Sequence, residues 1–131
     1  MKYVASVISE NPNIEEELTI EINGVKILCF VEEYQCPIKL GESYLVDLDI
    51  VIFDELELEK STVETRKMLQ VDNSFAYWII GIFNPSQESI DSGLQLSLHD
   101  EDFSDFWYLE NQYVKLKVDR INLSILEKVT D

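Results

Sequence analysis

Apolar and polar residues alternate along much of the chain. Leu18, Ile20 and Ile22 are spaced by Thr19 and Glu21 and preceded by Glu17, the period-two pattern of a strand with one buried face. Asn23 and Gly24 follow, and the run 25–31 returns, so this stretch predicts a tight hairpin with positive φ at both turn residues. After Pro37 and Gly41, one face carries Tyr44, Val46, Leu48, Ile50 and Ile52 and the other Ser43, Asp47 and Asp49. Val51 and Phe53 turn that outer face apolar, as expected where a strand passes from the rim of a barrel into its closed part. Leu56 and Leu58 resume the alternation among Glu55, Glu57 and Glu59. Ser61, Thr62, Val63 and Glu64 then read as a capping box that opens a short helix to about Val71. Val63, Met68, Leu69 and Val71 fall short of a helical stripe, however.

The run 75–83 is almost wholly aromatic and aliphatic, a central strand bent or bulged at Gly81 and ended by Asn84 and Pro85. Residues 84–92 read as a loop, Leu94, Leu96 and Leu98 as a short strand, and 99–110 as an acidic, aromatic segment. Val114, Leu116 and Val118 alternate with Lys115, Lys117 and Asp119. The phase then shifts by one at Asp119 and Arg120 before Ile121, Leu123 and Ile125, which predicts a bulge or bend there. These elements make an all-β chain: one domain over residues 1–131, a small antiparallel barrel of six or seven strands with at most one short helix.

In outline, a glycine-turn hairpin, a long strand with a polar-to-apolar switch, a short helix and a return ending in a long strand resemble an OB-fold. The stretch from Asn23 to Phe53, with Cys29, Phe30, Pro37, Gly41 and Tyr44, is similar in style to small uncharacterised bacterial OB-like proteins. The resemblance implies the barrel but carries no functional residue with it. OB-folds that hold single-stranded nucleic acid combine a basic groove with stacking aromatics. This chain clusters only Lys115, Lys117 and Arg120, beside Asp119.

Charge weighs further against nucleic acid. There are 26 acidic and 10 basic residues, a formal net of −16, and both halves of the chain are acidic. Such a field repels polyanions and anionic membranes and speeds encounter with basic proteins. No apolar run reaches the ~18 residues that span a bilayer, and residues 1–10 lack a basic region followed by a long hydrophobic stretch. A cytoplasmic protein is expected. Cys29 and Cys36 are too few for a disulfide framework and are expected as free thiols.

Catalytic and metal chemistry find little footing. His99 precedes Asp100, Glu101 and Asp102, but one histidine and two separated cysteines do not make a zinc set. Asp100, Glu101, Asp102 and Asp105 offer oxygen ligands without EF-hand spacing or its mid-loop glycine. Glycine-flanked serine elbows and phosphate-cradling glycine loops are both missing from the sequence. No cofactor, metal or enzyme activity is expected. The segment with Phe103, Phe106, Trp107 and Tyr108 reads either as a plug at a barrel end or as an interface. In the second reading Trp107 and Tyr108 are anchors, and Asp100, Glu101, Asp102 and Asp105 belong to an acidic rim. The leading expectation is a non-catalytic module that docks a basic protein, for instance an immunity-type inhibitor of a basic toxin or nuclease. The competing one is a structural or small-ligand-binding barrel with a pocket at its mouth.

Overall fold

The computed structural model describes residues 2–53, 55–98 and 101–130, and the chain is predominantly β. Eleven strands form among the described residues. The first six are β1 (Lys2–Asn11), β2 (Ile14–Ile22), β3 (Val25–Tyr34), β4 (Ser43–Val51), β5 (Glu57–Lys60) and β6 (Lys67–Gln70). The other five are β7 (Tyr77–Asn84), β8 (Ser89–Asp91), β9 (Gln95–Ser97), β10 (Tyr113–Val118) and β11 (Arg120–Lys128). Two 3-10 helices join them, η1 (Pro85–Gln87) and η2 (Glu101–Leu109). The strand count exceeds the expected six or seven because several strands are only three or four residues long. Among the described residues no helix is long and apolar enough to cross a membrane. The chain divides into two units, residues 1–48 with 121–131, and residues 49–120.

In the first unit the predicted hairpin forms: Ile22 pairs with Val25, and Asn23 and Gly24 take φ of 50° and 84°. The unit's strands pair in the order β1, β2, β3, β11, β4, and β4 pairs again with β1. β1 manages both neighbours by dividing its length, Lys2–Ser6 along β4 and Ser6–Asn11 along β2, with register shifts after Val7 and Glu10. The β3–β11 pairing is parallel, against the all-antiparallel expectation. Inward positions are filled by Val7, Ile20, Ile27, Tyr44, Leu48, Leu123 and Ile125, all buried. Side chains of this kind contribute about 1.5–3 kcal/mol each by leaving water. Buried Tyr44 also fastens the 37–42 loop. Its hydroxyl accepts from the Lys39 N–H at 2.9 Å and has the Pro37 carbonyl as acceptor at 3.1 Å.

The second unit is built on the order β9, β8, β7, β10, β5, with β6 on the other side of β7 from β10. Asp49, in the last part of β4, pairs in parallel with Ser97. Leu58, Ile79, Phe83, Ile90, Leu96, Leu116 and Val118 form its core. Four expectations need correcting here. No helix forms over 61–71. The Ser61 hydroxyl instead engages the Val63 backbone, accepting from its N–H at 3.1 Å, and the weakly amphipathic stretch is taken up as β6 on β7. Gly81 makes no bulge, since β7 keeps an unbroken register with β10 from Tyr77 to Ile82. The glycine serves close approach, because a β-carbon there would lie 2.6 Å from the Asp91 carbonyl carbon. Residues 84–92 are not a plain loop but hold η1 and β8. Phe53 is exposed rather than buried, and the Arg120 guanidinium lies over its ring at 5.0 Å.

The phase shift at 119–120 proves to be the break between β10 and β11. Asp119 secures it, its N–H donating to the Val51 carbonyl at 2.8 Å and its carboxylate accepting from the Phe53 N–H at 2.6 Å.

Candidate interaction surface

A 3-10 helix repeats every three residues, so side chains three apart lie above one another. In η2 this rule sorts the acidic, aromatic segment into faces. Phe103, Phe106 and Leu109 share one face, and the first and last of them are buried. Asp105 and Tyr108 share another, and Ser104 and Trp107 a third. Asp105 is exposed, and Trp107 and Tyr108 keep 50% and 71% of their surface open.

The helix sits on a firm base. Phe103 packs against Phe83 of β7 with ring centroids 6.0 Å apart. Just beyond η2, the Asn111 N–H donates to the Phe83 carbonyl at 2.8 Å and the Phe83 N–H to the Gln112 carbonyl at 3.0 Å. Asn111 makes the turn with φ of 62°, a conformation asparagine tolerates better than most residues. The Gln112 side chain caps the arrangement, its amide donating to the Tyr108 carbonyl at 3.2 Å. Two large aromatics are thus held outward on a helix tied down at its C-terminal end. The Phe106 and Tyr108 rings are 6.4 Å apart, which links the inner and outer faces.

Of the six residues expected at the interface, the structure therefore groups Asp105, Trp107 and Tyr108 on the exposed sides of one element. Glu101 and Asp102 open that element. Asp100, like His99, lies outside the described residues. Within the segment, Phe103 and Leu109 are buried while Trp107 and Tyr108 stand exposed. The period of three in Phe103, Phe106 and Leu109 is the sequence signal that separates them.

The lysines and arginine of the basic cluster read in the sequence are engaged with neighbours. Lys115 lies 4.3 Å from the Trp78 ring centroid, Lys117 is 3.8 Å from Glu57, and Arg120 covers Phe53. Cys29 is fully buried, and desolvation pushes its thiol far up, which favours the protonated form. Cys36 is a free, partly exposed thiol. Among the described residues no group of three or more His, Cys, Asp or Glu side chains is placed to hold a metal ion. Two open depressions lie in the second unit. One, of about 260 Å³, is lined by Leu56, Glu57, Leu58, Glu59 and Trp78; the other, of about 300 Å³, by Glu55, Glu57, Lys117 and Asp119.

The family described as "Uncharacterised conserved protein UCP019853" matches residues 1–126. No curated protein and no solved structure matches the chain.

Proposed function

The chain belongs to that conserved family, and from its own residues we propose that it is a non-catalytic, cytoplasmic binding module that docks a basic protein through η2. The observation that carries this reading is the exposure of Trp107 and Tyr108 on a helix whose Phe103 and Leu109 are buried. Large aromatics held rigid at a surface lose little entropy on binding and are typical hot-spot anchors. Asp105 beside them and the net charge of −16 supply the complementary field for a cationic partner. An immunity-type inhibitor that covers the phosphate-binding cleft of a basic toxin or nuclease is the concrete form of this reading. Its first unit would be an OB-like barrel: five strands pair in a circuit, and large side chains occupy the inward positions.

The test is a pull-down from source-cell lysate with the full chain as bait, at low and high salt, read by mass spectrometry. A basic protein retained at low salt and weakened at high salt supports electrostatic docking. Retention of no specific protein at either salt, with the suspected target present in the lysate, overturns it.

A further inference from the structure

In an antiparallel ladder, alternate residues point their N–H and C=O groups toward a given neighbour. The Ser61 N–H bonds the Tyr113 carbonyl at 2.9 Å, and Glu59 and Glu57 lie opposite Lys115 and Lys117. The backbone groups of Glu57 and Glu59 therefore face β10, and those of Leu58 and Lys60 face the other way. Among the described residues no strand pairs with that second side of β5, which ends its sheet. We propose that this open edge captures an extended basic segment of a partner protein as an added strand.

The partner's pattern can be read from the side of β5 that is already occupied. There β10 presents Lys115, Leu116 and Lys117 opposite Glu59, Leu58 and Glu57. Exposed Glu57 and Glu59 stand on one face of β5, and Leu58 turns to the core. A strand on the open side meets the same three side chains, so it calls for the same order: basic, apolar, basic. Glu55, exposed one step earlier, extends the acidic row. A second copy of β5 is a poor occupant, because it would set glutamates against glutamates. The edge thus rejects its own kind while remaining open to a cationic strand, by main-chain pairing with charge selection. This surface is separate from η2 and does not depend on the reading of Trp107 and Tyr108.

The experiment uses the full isotope-labelled chain and a blocked peptide with the sequence of residues 113–118, YVKLKV, against a control with both lysines replaced by glutamate. Amide exchange is followed by NMR. The basic peptide is expected to slow exchange at Leu58 and Lys60 by about tenfold or more at saturation, and the glutamate control is not. The Glu57→Gln, Glu59→Gln double variant, altered only at exposed positions, is expected to bind the basic peptide about threefold or more weakly. The proposal is overturned by unchanged exchange at Leu58 and Lys60, by equal slowing with the control, or by equal affinity in the variant. Changes confined to η2 would overturn the β5 edge and leave docking through Trp107 and Tyr108 standing.

Discussion

A β-carbon on Gly81 would meet the backbone of Asp91 and Ser92, with the Ser92 α-carbon 2.9 Å away. Gly81→Ala must therefore push β8 off β7, and the expected loss is about 2–3 kcal/mol, seen as a lower urea midpoint. At the first unit's surface, Glu42 is held below the usual carboxylate range, chiefly by a hydrogen bond from Lys128, with Lys39 and the Tyr44 hydroxyl adding to it against desolvation. Its Lys128 contact is 3.1 Å. A depressed carboxylate stabilises the fold above its unfolded pKa and loses that effect as pH falls through its folded one. The stability difference between the native chain and Glu42→Gln should accordingly be constant at neutral pH and shrink on acidification below about pH 4. Thermal melts across that range check it. The thiols make a third test. A maleimide should label Cys36 in the folded chain and reach buried Cys29 only on unfolding. Labelling of both at equal rates would contradict the packing.

Among the elements, what the sequence made legible depended on contrast between faces. The β2–β3 hairpin was readable because Leu18, Ile20 and Ile22 alternate with polar residues and Asn23 and Gly24 demand one turn. β1 was not, because Val4 and Ile8 on its outer face are as apolar as Ala5 and Val7 on its inner one, and register shifts break its period. β6 was mistaken for helix. It buries so little that Ser61 and Glu64 gave the louder signal, and pairing with β7 decided the matter. In η2 the segment was noticed but its geometry was not, since neither a period of two nor one of 3.6 sorts Phe103 and Leu109 from Trp107 and Tyr108. That sorting predicts opposite costs. Phe103→Ala should destabilise the chain by about 3–5 kcal/mol, whereas Trp107→Ala should move stability by less than about 1 kcal/mol. Chemical denaturation of the two variants compares them directly.

At the scale of the whole molecule, pairing was out of reach of the sequence. Strand β11 lies parallel to β3 and also neighbours β4, and no local pattern in Ile121, Leu123 and Ile125 names its partners. Charge, by contrast, is readable at once, and a net of −16 has consequences over the entire surface. It sets the salt dependence of any encounter, and in the proposed docking η2 would supply the contact that distinguishes docking from diffuse attraction. The most direct test is therefore a comparison of baits at low salt: the native chain and the Trp107→Ala, Tyr108→Ala double variant, which carry the same net charge. Docking through η2 predicts a basic protein held by the native chain and lost by the variant. Equal retention by both would contradict it.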